Sequence, residues 1–306
     1  MRPLVIQTER LHEESAAWLA ERCTLVRAAP GEPAFEQSIG RAQALVVRTY
    51  TRVDAPLLAR APALRVVGRA GVGLDNIDVD ACRARGIDVV YTPDANTTAV
   101  VEYVFALLFD ALRPRAHLRE PVTTARWAEL RRELSAPRQL ADLTLGVYGL
   151  GRVGSHVARA GAAFGMRVLF HDLLDIPEDA RSGATPVTRD SLLADSDVLT
   201  MHVDGRASNR NLLSAEAFAR MKPDAVFVNT SRGFTVDAAA LAEWLRAHPH
   251  AYALIDVHQP EPFQADYPLL GLPNARLSPH IAAATVTADR KMSRVVEEVW
   301  RALRTD

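Results

Sequence analysis

The segment Gly149-Leu150-Gly151-Arg152-Val153-Gly154 constrains this chain most, because it places three glycines in six residues between two patterned stretches. The apolar run Leu145–Tyr148 precedes it and predicts a buried strand. Apolar residues then recur at helical spacing from Val153 to Phe164. The glycines permit a tight turn and a close approach of helix to strand, so the sequence predicts a strand–turn–helix corner.

An acidic residue after the next strand is typical of corners that bind a dinucleotide. A strand predicted over Arg167–His171 ends at Asp172, 18 residues after Gly154. The N–H groups at the helix start, at Arg152 and Val153, then face the pyrophosphate. Asp172 accepts hydrogen bonds from a ribose 2′-OH and repels a 2′-phosphate, so we predict NAD rather than NADP. The alternative is a structural corner without a ligand.

Two series of short apolar runs alternate with helical segments along the chain. The first series extends from Leu4 to Val90 and the second from Leu145 to Leu277. This alternation predicts an α/β fold with two doubly wound parallel sheets, each covered on both faces.

The final helix, predicted over about Thr285–Leu303, follows the second series but is expected to return to the first domain. We therefore predict one domain from residues 1–94 plus 285–306, with a second domain at 95–284 inserted into it. A long helix over Thr97–Leu112 begins the inserted part. The polar segment Arg113–Asp142 after it is interpreted as a connection or an arm on a partner subunit.

Bulk properties exclude several classes of protein. The net charge of −1 indicates no general attraction to nucleic acid or to an anionic membrane. The two cysteines, Cys23 and Cys82, provide neither a disulfide framework nor a zinc pattern. We see no metal-ligand cluster, signal peptide or membrane-spanning run, and we expect a cytoplasmic protein.

Three charged residues follow successive predicted strands of the second series: Arg232, Glu261 and His280. Ligands of open parallel sheets bind beyond the carboxyl ends of the strands, so these side chains are expected at the same edge as the glycine-rich corner. A guanidinium binds the carboxylate of a 2-oxo acid and polarises its carbonyl. A histidine exchanges a proton with the resulting alkoxide, and a glutamate fixes the histidine tautomer.

Each of these residues also has an ordinary structural explanation. Arg232 can cap a strand or pair with a surface acid. Glu261 can be a solvated loop residue between two prolines, and His280 a hydrogen-bonded loop histidine. Their joint placement after successive strands favours the catalytic interpretation.

These motifs in combination resemble the D-isomer-specific 2-hydroxyacid dehydrogenase family, which includes 3-phosphoglycerate dehydrogenase, hydroxypyruvate and glyoxylate reductases and D-lactate dehydrogenase. The resemblance rests on GLGRVG, Asp172, NTSRG, the segment ending Glu261-Pro262, and SPHIAAAT. It implies a Rossmann cofactor domain inserted into a flavodoxin-like substrate domain, with NAD as cofactor. Arg232, Glu261 and His280 match the catalytic residues of the family, while Thr230 and Asp256 are expected to bind the cofactor.

The resemblance also implies a substrate site in the first series. Val72 and Gly73 would offer backbone N–H groups to the substrate carboxylate, and Asn96 matches the hinge segment. Arg48 and Arg69 match the phosphoglycerate dehydrogenase branch and suit a dianionic phosphate. The alternatives are an ordinary strand-to-helix turn with Asp75 or Asn76 as helix cap, and interface salt bridges for the arginines.

Several positions depart from the family pattern. Asp204 replaces a proline that is common in the family, and the loop after it also differs. His258 replaces an aromatic residue, and Tyr50 stands where a small residue is common and would narrow the substrate pocket.

The resemblance and the exposed positions of Trp127 and Leu130 predict a homodimer formed through the helix at 97–112 and the arm. The predicted function is an NAD-dependent oxidoreductase for a small D-2-hydroxy acid or 2-oxo acid, of the 3-phosphoglycerate, hydroxypyruvate or glyoxylate type. The main alternative is an NAD(H)-sensing binding protein, such as a corepressor, on the same scaffold. A formate- or phosphite-type dehydrogenase fits the residues less well.

Overall fold

The structure, a computed structural model, describes residues 2–304. It divides into two compact units. One unit contains the described residues up to Asn96 together with those from Ala283 onward, and the other contains Thr97–Ala282. That these units are a substrate domain and a cofactor domain stays a prediction at this point.

The first unit is built on a five-stranded sheet in which every neighbouring pair is parallel. Its strands are β1 Leu4–Gln7, β2 Thr24–Arg27, β3 Ala44–Val47, β4 Val66–Arg69 and β5 Asp88–Tyr91. Four helices follow these strands in turn: α1 Glu13–Ala20, α2 Pro33–Ser38, α3 Ala55–Ala59 and α4 Val79–Ala84. The strand order β2-β1-β3-β4-β5 is that of flavodoxin-like sheets.

The burial of these strands explains their composition. All four residues of the central strand β3, Ala44–Val47, are buried, so the strand reads as a continuous apolar run. The edge strand β2, Thr24–Arg27, has exposed ends and a half-buried leucine and valine between them. The core on one face of this sheet includes Phe35, Leu45 and Leu58.

The second unit has a seven-stranded parallel sheet. Its strands are β6 Thr144–Tyr148, β7 Arg167–His171, β8 Thr185–Pro186, β9 Val198–Met201, β10 Val226–Asn229, β11 Tyr252–Ile255 and β12 Ala275–Leu277. Its helices are α5 Thr97–Leu112, α6 Thr124–Glu133, α7 Arg152–Ala163, α8 Arg189–Asp195, α9 Ala215–Phe218 and α10 Ala238–Ala247. The order β12-β11-β10-β9-β6-β7-β8 is the Rossmann order with one additional strand, so the predicted pair of doubly wound parallel sheets is confirmed.

The chain ends with two helices of the first unit, α11 Val286–Ser293 and α12 Val295–Arg304. The prediction of a single helix over 285–303 is therefore wrong, because the helix is interrupted at Arg294. The N–H of Arg294 donates to the carbonyl of Lys291, three residues back instead of four. Gly68 on β4 explains how α12 packs so closely, because a Cβ there would lie 2.2 Å from a methyl group of Val299. A glycine is thus required where this helix crosses the sheet.

No helix within residues 2–304 combines the length and the apolar character that crossing a membrane requires.

Candidate active site

The glycine-rich corner forms as predicted at the carboxyl end of β6. Gly149 has φ +90°, and a Cβ there would lie 2.8 Å from the carbonyl oxygen of His202. A Cβ at Gly154 would lie 2.0 Å from the carbonyl oxygen of Gly149. Gly151 precedes the first residue of α7, and a Cβ there would meet no atom within 4 Å. Two glycines are therefore required by packing, and the third leaves space open at the start of the helix.

Asp172 lies against this corner. Its Oδ2 accepts a hydrogen bond of 2.7 Å from the N–H of Leu150, and its Oδ1 accepts one of 2.9 Å from the N–H of Leu174. These bonds fix the carboxylate beside the glycine-rich turn. Each oxygen retains a lone pair for a further donor such as a hydroxyl.

The residues of this edge fit a dinucleotide. The open space at Gly151 and the N-terminus of the twelve-residue helix α7 suit a pyrophosphate. Thr230, after β10, has a buried Oγ1 with no hydrogen-bond partner in the described part of the chain. A buried hydroxyl without a partner is costly unless a ligand or water satisfies it.

The loop that carries Arg232 is held by Asn229, the last residue of β10. The side-chain Oδ1 of Asn229 accepts hydrogen bonds from the N–H (2.9 Å) and the hydroxyl (2.8 Å) of Ser231. Its Nδ2 donates to the carbonyl of Arg232 at 3.0 Å. A Cβ at Gly233 would lie 2.1 Å from the carbonyl of His258, so glycine permits close contact between the loops after β10 and β11.

Glu261 and His280 form the pair that the sequence predicted. Nδ1 of His280 lies 2.8 Å from Oε2 of Glu261, and the second oxygen of Glu261 accepts 2.7 Å from the N–H of His258. Burial alone would raise the pKa of Glu261, but the hydrogen bonds from His280 and His258 outweigh it and hold this pKa below its usual value. Glu261 is therefore a carboxylate that fixes the imidazole through Nδ1.

The main chain at His280 is shaped by Asp256, which is completely buried. The Oδ1 of Asp256 accepts from the Ser278 hydroxyl at 2.6 Å and from the N–H of Ile281 at 2.9 Å, and its Oδ2 accepts 2.8 Å from Ala282. The N–H of His280 donates to the Asp256 carbonyl, and His280 itself adopts φ +55°. The cofactor contact predicted for Asp256 stays a prediction, and the contacts present make it the organiser of the histidine loop.

Two further residues support this loop and were not predicted as part of the site. His258 is buried, with Nε2 2.8 Å from the Ser278 carbonyl and Nδ1 3.3 Å from the Tyr267 hydroxyl. Tyr103 on α5 lies near the Ser278 side chain, and burial raises the pKa of its phenol. The departure of His258 from the family pattern was the available signal, whereas Tyr103 looked like an ordinary residue of an apolar helix.

The predicted substrate residues of the first unit follow β3 and β4. The backbone N–H of Arg48 donates to Glu9, and its Nη1 lies 2.5 Å from Oδ1 of Asp289. Arg69 folds over Gly71 and donates to the carbonyl of Ala70 at 2.9 Å. Arg48 thus forms a salt bridge within its own unit and not the interface pair of the alternative, and its phosphate-binding role stays a prediction.

The remaining predicted positions have different environments. Val72 and Gly73 are half-buried after β4, and Asn96 has a buried Oδ1 without a partner among the described residues. Asn76 does not cap a helix: it donates to the carbonyls of Arg48 and Thr51, and Asp78 caps α4 instead.

Fold and site together define a dinucleotide-binding α/β protein with a histidine–carboxylate pair. Residues 105–282 match the family model described as the D-isomer specific 2-hydroxyacid dehydrogenase, NAD binding domain. The chain is 40% identical over 265 residues to an (S)-sulfolactate dehydrogenase from Chromohalobacter salexigens, covering 85% of this chain and 84% of that protein. It is 37% identical over 297 residues to a D-3-phosphoglycerate dehydrogenase from Archaeoglobus fulgidus, covering 96% of this chain.

The alignment to the Archaeoglobus protein spans 56% of that relative's length, so the chain matches about half of it. Among solved structures, an NADPH-dependent glyoxylate/hydroxypyruvate reductase from Sinorhizobium meliloti, in complex with NADP and malonate, superposes with a TM-score of 0.85. It shares 30% sequence identity, and the match covers 100% of this chain and 95% of that one. The chain belongs to the D-isomer specific 2-hydroxyacid dehydrogenase family, and its cofactor is NAD.

Proposed function

We propose that this chain is an NAD-dependent oxidoreductase that interconverts a small D-2-hydroxy acid and its 2-oxo acid. The observation that carries the proposal is the hydrogen bond of 2.8 Å between Nδ1 of His280 and Glu261. Both residues follow strands of the same sheet as the glycine-rich corner, which fits a dinucleotide. A neutral or protonated imidazole held in this way presents Nε2 for proton exchange.

The proposed roles follow from the chemistry of each side chain. Arg232 binds the substrate carboxylate and polarises the carbonyl oxygen, since a guanidinium offers paired donors to a carboxylate. His280 donates a proton from Nε2 to the developing alkoxide, or accepts it in the oxidative direction. Glu261 orients His280 through Nδ1. When bound, NAD(H) supplies or accepts the hydride.

Cofactor contacts are assigned to the corner and to residues near it. Gly149, Gly151 and Gly154 allow the turn, with the N–H groups of Arg152 and Val153 proposed as pyrophosphate donors. Asp172 is proposed to accept from the adenosine ribose. Thr230 and Asp256 are proposed to lie along the nicotinamide end.

We propose a substrate of the 3-phosphoglycerate, hydroxypyruvate, glyoxylate or sulfolactate type. Val72 and Gly73 are assigned to the substrate carboxylate, and Arg69 and Asn96 to other polar groups of the substrate. Arg48 is also assigned to the substrate, where binding an anion requires it to leave Asp289.

The same proposal covers domain roles, assembly and location. The unit formed by residues 97–282 is the cofactor domain, and the other unit is the substrate domain. A homodimer is supported by α6, which has no buried residue, and by Trp127 on that helix, which is 53% exposed. We place the protein in the cytoplasm.

The test is a spectrophotometric screen of 2-oxo acids with NADH, following loss of NADH absorbance. The matched variants are His280→Ala, which removes the proton donor, and His156→Ala, which changes a surface histidine on α7. Turnover of at least one 2-oxo acid that survives in His156→Ala and is lost in His280→Ala supports the proposal. Binding of NADH without turnover of any acid would instead favour a dinucleotide-sensing protein.

A further inference from the structure

The loop after β9 runs beside the glycine-rich corner. Strands β9 and β6 are neighbours in the sheet, so the segments that follow them leave the same edge side by side. A Cβ at Gly149 would lie 3.3 Å from Cγ1 of Val203, the residue before Asp204. Asp204 and Arg206 therefore follow a point of direct packing against the dinucleotide corner.

Asp204 and Arg206 form a two-pronged ion pair. Nε of Arg206 lies 2.7 Å from Oδ1 of Asp204, and Nη2 lies 2.5 Å from Oδ2. Asn209, which is only 6% exposed, donates from Nδ2 to Oδ1 and to the carbonyl of Asp204, both at 3.0 Å. The buried amide fixes the carboxylate, and the carboxylate in turn fixes the guanidinium.

Arg206 also interacts with the acidic residue of the corner. The hydrogen bond to Asp204 is the main cause that raises the pKa of the Arg206 guanidinium, and the negative charge of Asp172 adds to it. The hydrogen bond from Arg206 correspondingly lowers the pKa of Asp204, so this carboxylate stays ionised. Asp172 and Asp204 thus both act on Arg206, and the charge of Arg232 also lowers the pKa of Asp204.

An arginine near the ribose is the group with which dinucleotide sites of this kind accept a 2′-phosphate. Here Asp204 occupies two of its donors, so a phosphate would have to compete with a carboxylate that is already held in place. Without Asp204, the guanidinium would offset the charge of Asp172. Arg206 is thus present near the corner, but its guanidinium is already paired with Asp204.

We propose that Asp204 contributes to cofactor specificity by occupying the guanidinium of Arg206, so that Arg206 neither offsets the charge of Asp172 nor binds a 2′-phosphate. The inference rests on the proposed placement of the ribose at Asp172. It assigns discrimination to the loop after β9 in addition to the acidic residue after β7.

The experiment measures binding by calorimetry with two probes, ADP-ribose and 2′-phospho-ADP-ribose. Asp204→Ala should bind 2′-phospho-ADP-ribose about fivefold to tenfold more tightly than the wild type, the size expected for removing one nearby charge close to the surface. Affinity for ADP-ribose should change little. Asp204→Asn, which removes only the charge, should change binding in the same direction.

The double variant Asp204→Ala/Arg206→Ala should lose the gain, because the unmasked guanidinium is what the phosphate binds. Asp190→Ala is the matched control, since Asp190 pairs with Arg220 at 3.2 Å elsewhere in the same unit. An unchanged ratio of the two affinities in Asp204→Ala, or a gain that persists in the double variant, overturns the inference. Failure of the wild type to bind ADP-ribose would overturn the cofactor placement as well.

Discussion

In each of the two units, one carboxylate accepts several hydrogen bonds from a neighbouring loop. The two loops carry different residues, so we expect the loss of each carboxylate to have a different effect. In the first unit, Glu9 follows β1 and accepts from four successive N–H groups, those of residues 48–51. In the second, Asp256 follows β11 and accepts from Ser278, Ile281 and Ala282. Glu9 is half-buried, whereas Asp256 is completely buried and bonds on both sides of His280.

A carboxylate that accepts hydrogen bonds from a loop can therefore stabilise the fold or fix the proposed proton donor in place, depending on which residue the loop carries. The loop held by Glu9 carries Arg48, whose side chain pairs with Asp289. The loop held by Asp256 carries the proposed proton donor in a left-handed conformation. Loss of Glu9 should therefore affect mainly stability, and loss of Asp256 should affect stability and turnover together.

The largest effect is expected for Asp256→Ala. It leaves a hydroxyl and two N–H groups without an acceptor in a buried place, at a cost of roughly 3–5 kcal/mol in the free energy of unfolding. Turnover should fall about 10²-fold, because displacement of a reacting group by an ångström costs that much. Urea unfolding and steady-state kinetics measure the two quantities.

Asp256→Asn keeps the shape of the side chain and provides a control for a variant that fails to fold. Its amide must turn a donor toward one of the former donors, so turnover should still fall. Normal turnover in a folded Asp256→Asn protein would contradict the role of this carboxylate in placing His280.

A smaller effect is expected for Glu9→Gln, which replaces a charged acceptor of four N–H groups with a neutral one. The free energy of unfolding should fall by about 1–3 kcal/mol, with turnover per folded molecule retained. Glu13→Gln is the control, because Glu13 lies in an exposed pair with Arg27, and its substitution should cost well under about 1 kcal/mol. An equal decrease in the free energy of unfolding in the two variants would show that the four hydrogen bonds of Glu9 stabilise the protein no more than an exposed ion pair does.

The stability that Glu9 contributes should depend on pH. Burial would raise the pKa of Glu9, but the four backbone hydrogen bonds outweigh it and lower this pKa below its usual value of 4.5. A lowered pKa in the folded state contributes stability that is fully present above pH 4.5 and is lost as the pH falls through the folded-state pKa. The stability difference between wild type and Glu9→Gln should therefore shrink on acidification, and a constant difference would contradict this origin.

The smallest effect is expected for Asp54→Ala. Asp54 accepts a single N–H, that of Leu57, as the cap of α3. Its loss should cost about 1 kcal/mol and should lower only the midpoint of thermal unfolding. A loss of turnover as large as that of Asp256→Asn would contradict the expectation that Asp54 contributes only to stability.

Much of the fold could be predicted from the sequence, because short apolar runs mark the strands and apolar residues at helical spacing mark the helices between them. The bounds of α5, Thr97–Leu112, and of β7, Arg167–His171, agree with the predicted ones. The strand β8 was missed, because two residues ending in Pro186 carry no periodic signal. Helix α6 was missed as well, since a helix without a buried residue has no apolar stripe.

The sequence predicted a site residue well where its side chain has one common role at that place in the fold. It predicted less well where the same side chain can have several roles. The contact between Glu261 and His280 was expected from their places after successive strands. The acceptor role of Asp256 was not, because a carboxylate after a strand can face a ligand or the backbone with the same sequence. The pair between Arg48 and Asp289 joins residues 241 positions apart, and no local pattern reveals it.

The proposed proton transfer is tested by comparing the turnover of His280→Ala with its affinity for NADH. Removing a positioned proton donor should lower kcat by roughly 10² to 10⁴. NADH affinity, measured by fluorescence titration, should stay at the wild-type value, because the glycine-rich corner and Asp172 are untouched. Near-normal turnover of every 2-oxo acid that the wild type accepts would contradict the proposed proton transfer.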